Sequence, residues 1–113
     1  MAKKENTEYD LIIIGAGGAG LAAAMYGARL NMKTLCLGTS HGTEMPLGGV
    51  ITTTNVVENY PGFIRLTGTE LADKIKEHAQ SYELVTLKEE KATEVKQSNN
   101  KFSVKTEQAA YSG

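Results

Sequence analysis

Tyr9 to Gly20 reads YDLIIIGAGGAG, a hydrophobic strand running directly into a glycine-rich turn, and no other feature narrows the fold as much. Gly15, Gly17 and Gly20 fill the three glycine positions of G-x-G-x-x-G. In that pattern the first glycine allows a tight turn and the second lets backbone come close to a pyrophosphate. The third lets helix and strand pack closely. A helix opening at this point turns its unpaired N–H groups and positive dipole end toward phosphates. The motif predicts a strand–turn–helix that holds a dinucleotide.

The surrounding sequence supplies the context that a bare motif lacks. Leu11 to Ile14 is a continuous apolar run, as expected of a parallel strand covered on both faces. From Gly18 to Leu30 the chain turns alanine-rich, with Leu21, Ala24, Met25 and Ala28 on one helical face. Lys33 to Leu37 reads as a second strand, which completes a βαβ unit over residues 8–38. A long segment of little periodicity follows at 39–66. Irregular stretches of that length are usually functional or disordered. Thr67 and Glu70 form a T-x-x-E capping box, and Leu71, Ile75, Ala79 and Tyr82 line one face of a helix ending near Ser81. Leu84 to Leu87 is expected as a third parallel strand. Ala92–Gln97 and Phe102–Thr106 then alternate apolar and polar residues around Ser-Asn-Asn-Lys, a hairpin signal.

Composition excludes several alternatives. The chain has 113 residues, 41% hydrophobic and 22% charged, which is the profile of one globular domain or part of one. A net charge of −1 gives no electrostatic case for nucleic acid or an anionic membrane. Residues 1–7 are polar, read as a disordered leader, and lack the apolar core of a signal peptide. No apolar run approaches the roughly 20 residues of a membrane span, so a cytoplasmic protein is expected. Cys36 is the single cysteine, which rules out an internal disulfide or a Cys-x-x-Cys pair within the chain. Flanked by Leu35 and Leu37, it reads as a small buried hydrophobe.

His41 reads as a solvated loop histidine and His78 as structural, while the mixed charges of residues 88–96 read as a solvated face. No catalytic residue and no metal cluster stands out. One expected element is missing: no acidic residue for a ribose hydroxyl follows about 20 residues after the motif. Leu37-Gly38-Thr39-Ser40 ends the second strand instead, with Thr39 offering a hydroxyl or backbone contact and Glu44 standing late.

Taken together, YDLIIIGAGGAG, GGVITTTNVVENYPGF and TGTELADKIKEHAQ resemble the N-terminal flavin-binding part of the low-molecular-weight thioredoxin reductases. The likeness covers about residues 8–106, and the VENYPG block is its most specific part. It implies an α/β fold: a Rossmann-like FAD-binding βαβ with parallel sheet plus an antiparallel hairpin or meander, truncated relative to the full family fold. Residues 8–113 would be the N-terminal portion of such a domain.

The implied cofactor is FAD. Gly15, Gly17, Gly18, Ala19 and Gly20 would surround its pyrophosphate, and Thr39 would lie near the adenosine ribose. Gly48, Gly49 and Val50 would lie beside the flavin, Thr54 and Asn59 would hydrogen-bond around its ring, and Ala92 would touch the adenine through its backbone. Val50 departs from the family's usual glutamine. The family's Cys-x-x-Cys and its NADPH domain are not found in these residues.

The resemblance thus implies a segment of an enzyme that passes electrons from NADPH through FAD and a disulfide to a thioredoxin-like protein. The remaining C-terminal half or a homodimer partner would complete it. Two other readings stay open: a segment of a ferredoxin-linked or other flavin reductase that does not use NADPH, and a non-catalytic dinucleotide-binding half that pairs with a separate chain.

Overall fold

A computed structural model describes residues 8–39 and 54–113. The expected leader at 1–7 and the residues 40–53 lie outside the described part. Leu11–Ile14 forms β1, Gly18–Arg29 α1, Thr34–Gly38 β2, Gly68–Gln80 α2 and Val85–Glu89 β3. The three strands make a parallel sheet in the order β1-β2-β3, with Leu11 opposite Thr34 and Thr34 opposite Val85. Ala92–Ser98 (β4), Lys101–Thr106 (β5) and Ala110–Ser112 (β6) form a separate antiparallel meander. The sequence expectation of a βαβ unit, a third parallel strand and a hairpin is borne out, with strand ends shifted by one or two residues.

The alternation of side chains along β2 creates three layers. Leu35 and Leu37 face the meander and pack with Tyr9, Val104 and Tyr111. Cys36 faces the opposite way and packs with Ala16, Leu21, Ala24 and Ala79 from the helical side. All five residues of β2 are buried, which accounts for the apolar Leu35-Cys36-Leu37 run at its centre. Thr34 is the one buried polar side chain of the strand, and its hydroxyl donates to the carbonyl of Met32 at 3.0 Å.

α1 buries Leu21, Ala24 and Ala28 as expected, but Met25 is only half-buried and Gly27 takes the inner position. The cause is close packing. A Cβ on Gly27 would lie 2.6 Å from Thr34 Oγ1 and 2.9 Å from Leu11 Cδ2. The helix ends at Leu30, and Asn31 beyond it takes the left-handed conformation with φ 65°, a common way to stop a helix.

α2 begins as its sequence predicts. The Thr67 hydroxyl accepts from Glu70 N–H at 3.0 Å, and the Glu70 carboxylate accepts from Thr67 N–H at 3.0 Å. Leu71, Ala72 and Ala79 are buried, while Tyr82 lies past the helix end and is half-buried.

The final residues of the chain join both sheets. Tyr111 pairs with Val104 in the meander, and its ring meets Tyr9 edge-on at 6.1 Å. Ser112 also forms a parallel bridge with Glu8 just before β1.

Candidate functional site

In a parallel sheet every strand ends on the same edge, and each crossover helix starts at that edge. Here the edge gathers the glycine turn after β1, Thr39 after β2 and residues 90–92 after β3. Open α/β sheets bind ligands along this carboxyl edge. Gly38 pairs with Glu89, so Thr39 stands beside the connection that leads to Ala92. Ala92 is half-buried against the layer of Tyr9, Leu35, Leu37, Val104 and Tyr111.

The glycine turn is fixed from below by β2. Gly15 has φ +114°, a conformation that L side chains rarely adopt, and its N–H donates to Leu37 O at 2.7 Å. Its carbonyl accepts from the Cys36 thiol at 3.6 Å. A Cβ on Gly20 would be driven into that same carbonyl oxygen. Gly15 is thus held by β2 through the peptides on either side of it and closed over by Gly20.

Above Gly18, by contrast, a Cβ would meet nothing within 4 Å. Gly17 is the N-cap of α1 and brings no side chain, and the first turn carries no acidic residue. Gly18, Ala19 and Gly20 therefore present a helix start with a positive dipole end and open space over it, a site suited to an anionic oxygen. Cys36 is fully buried, and burial pushes its thiol up to about 11. It remains protonated near neutral pH, as its reading as a packed hydrophobe requires.

The stretch 54–66 folds back on α2. Val57 and Leu66 form an antiparallel bridge, with N–H to O distances of 2.7 and 3.0 Å. Tyr60-Pro61-Gly62-Phe63 turns on a 3.2 Å bond from Phe63 N–H to Tyr60 O. Val57 and Leu66 pack on Leu71 and Ile75 of α2. The Thr54 carbonyl accepts from Gly68 N–H at 2.9 Å, which ties Thr54 to the start of α2 on the same sheet edge. Thr54 and Asn59 are exposed. Gly48, Gly49 and Val50 lie outside the described residues, as do His41 and Glu44.

His78 is exposed and stacks on Tyr82 at 6.0 Å between ring centroids. Among the described residues no group of three or more His, Cys, Asp or Glu is placed to hold a metal ion. No helix among them is long and apolar enough to cross a membrane. Sequence reasoning missed two features of this edge. One is the Cys36–Gly15 contact. The other is Glu90, which receives hydroxyls from Tyr111 and Thr106. Neither partner is near in sequence, so periodicity could not find them.

Known proteins agree with this arrangement. The family model for pyridine nucleotide-disulphide oxidoreductases matches residues 9–112. The thioredoxin reductase of Bacillus subtilis is 46% identical over 78 residues, which cover 69% of this chain and 23% of that protein. The crystal structure of thioredoxin reductase from Streptococcus pyogenes superposes with a TM-score of 0.84 at 32% identity, covering 96% of this chain and 33% of that one. A ferredoxin-flavin thioredoxin reductase from Clostridium acetobutylicum superposes with a TM-score of 0.74 at 28% identity, covering 93% and 34%. The chain spans no more than 34% of the length of these proteins. With the glycine turn, the three-layer core and the family model in agreement over almost every residue, the chain belongs to the pyridine nucleotide-disulphide oxidoreductase family and is built like a part of a thioredoxin reductase.

Proposed function

We propose that this chain forms the FAD-holding part of a thioredoxin-reductase-like oxidoreductase. The observation that carries the reading is the start of α1. Gly15 is left-handed, Gly20 leaves no room for a Cβ against it, and among the described residues no side chain caps the helix N-terminus. Gly15, Gly17, Gly18, Ala19 and Gly20 would take the pyrophosphate, with Thr39 near the ribose and Ala92 near the adenine. Thr54 and Asn59 would meet the flavin ring, joined by Gly48, Gly49 and Val50. When bound, the flavin supplies the hydride and electron transfer.

The protein's own part is to bind and orient. The dipole of α1 stabilises the phosphate charge, and β2 holds the turn in place. No described side chain is assigned a proton-transfer role.

The activity of the complete protein follows the same reading: NADPH as donor, a redox disulfide in further polypeptide, and a thioredoxin-like acceptor. The likeness to the ferredoxin-flavin enzyme favours a second reading in which ferredoxin replaces NADPH. Further polypeptide of the same protein is proposed to cover the free edge of β1. That edge, which no described strand pairs, borders an apolar groove of about 340 Å³ lined by Ile12, Ile14, Val95, Phe102 and Val104, and Ile14 there is 54% exposed.

Titration of the purified chain with FAD tests the cofactor. Saturable quenching of flavin fluorescence with one flavin per chain is expected, together with a raised unfolding temperature. A chain that leaves the flavin spectrum unchanged and gains no thermal stability from FAD overturns the assignment.

A further inference from the structure

A network of hydroxyls converges on Glu90, in the connection between β3 and β4. Tyr111 Oη donates to both carboxylate oxygens, at 2.8 and 3.0 Å, and Thr106 Oγ1 donates to one of them at 2.7 Å. Thr106 is itself committed to the β5–β6 turn, since its hydroxyl accepts from Gln108 N–H at 3.1 Å and Ala109 N–H at 3.0 Å. Tyr111 is anchored independently. Its side chain is 2% exposed, it packs in the layer over β2, and Lys88 Nζ lies 5.4 Å from its ring centroid.

One carboxylate thus ties the β3–β4 connection to two strands of the meander that are far away in sequence. Two residues on, the β4–β5 register shifts between Ala92 and Glu94, with the Thr93 hydroxyl donating to Lys105 O at 3.2 Å. Ala92 therefore begins β4 at an irregular point whose backbone the strand ladder alone does not determine.

We infer that Glu90 is a positioning residue for the adenine end of the bound dinucleotide: its bonds to Tyr111 and Thr106 set the backbone at Ala92 that faces the base. This rests on the FAD reading above and adds a residue that neither the glycine motif nor the family match assigns. The chemistry is specific. A backbone N–H or C=O reads the pattern of donors and acceptors on a purine edge only if it is held to within a few tenths of an ångström. Charge-assisted hydrogen bonds from two hydroxyls hold the connection better than neutral ones would.

The test is binding of ADP and of inosine diphosphate to the whole chain, by calorimetry, since the two differ only at the purine edge. Wild type is expected to prefer ADP. Glu90→Ala is expected to lower the ADP-to-IDP affinity ratio roughly three- to tenfold, and Tyr111→Phe by less. Glu90→Gln, which keeps an acceptor oxygen for both hydroxyls, is expected to restore most of the preference.

A purely structural role for Glu90 would weaken both nucleotides equally and leave the ratio where it was. That result, from a variant with a cooperative unfolding transition, overturns the inference. If Glu90→Ala does not fold, Tyr111→Phe decides: an unchanged ratio there overturns it as well. A wild-type chain that binds neither nucleotide nor FAD overturns the dinucleotide reading and the inference together. A wild type that binds FAD and ADP while the variants keep the wild-type ratio overturns the inference alone.

Discussion

α1 and α2 are nearly equal in length, at 12 and 13 residues, and both begin at the carboxyl edge of the parallel sheet, yet they begin in opposite ways. α2 satisfies its own first turn: Thr67 and Glu70 exchange two bonds, and Thr54 O takes the Gly68 N–H. α1 is introduced by Gly17 with no side-chain cap and no acidic residue in its first turn. A capped N-terminus contributes to stability and has little left to offer a ligand. An open one forgoes that stabilisation and keeps its donors and dipole for an anion. The difference suits one helix start to stability and, under the proposed FAD reading, the other to binding.

The sharpest way to break this contrast is at the glycines of the open start. Gly20→Ala forces a Cβ into the Gly15 carbonyl, and backbone cannot yield as a side-chain tip can. A loss of about 3 kcal/mol or more in urea unfolding, with loss of FAD binding, is expected. A fully stable Gly20→Ala protein would remove the turn from its central place.

The thiol beneath the turn gives the next largest effect, and it is pH-dependent. Burial raises Cys36 from 9.0 to about 11. A raised value means that the stabilisation is complete below pH 9 and disappears as pH climbs toward about 11. The preference of the buried site for the neutral thiol corresponds to roughly 2–3 kcal/mol. Urea midpoints for wild type should fall across that window, and those for Cys36→Ala should fall less steeply.

At the capped start, Thr67→Ala should cost about 1 kcal/mol in chemical denaturation while leaving FAD affinity at the wild-type value. Hydrogen bonds from the Thr67 backbone, then its side chain, hold the Glu70 carboxyl below its ordinary 4.5. The cap is therefore complete above that pH and weakens as pH falls below it, an acid sensitivity that Glu70→Gln should abolish.

The smallest change, Gly17→Ser, would give α1 the side-chain cap that it lacks. Thermal melts should show a gain of a few tenths of a kcal/mol, with weaker FAD binding because the new hydroxyl occupies a first-turn donor. Unchanged affinity in that variant would argue that the open start is not where the phosphate binds.

What the sequence disclosed and what it withheld divide along one physical line. Features written in adjacent residues were legible: the apolar run of β1, the glycine spacing, the T-x-x-E box and the Ser-Asn-Asn-Lys hairpin. Features that depend on a partner across the fold were not. Met25 was placed on the inner face and Gly27 was not, because only the nearness of Thr34 and Leu11 shows that α1 must approach there without a side chain. The packing of Tyr111 was not legible either: it is buried between Tyr9 and Glu90, whose positions lie 102 and 21 residues away. Thr39 and Ala92 come to one sheet edge through strand pairing, which no local pattern encodes.

The burial of β2 on both faces and between two neighbours has a kinetic meaning. Amides of such a central strand open only with the whole domain, while the rims open by themselves. The Gly15 N–H is bonded to Leu37 of this strand. The turn at the ligand edge is therefore tethered to the slowest-exchanging part of the molecule, so fluctuations of the meander or of the stretch before α2 need not loosen it. Under the proposed FAD reading, the cofactor should leave through movement of those rims, with the floor beneath its phosphates still intact.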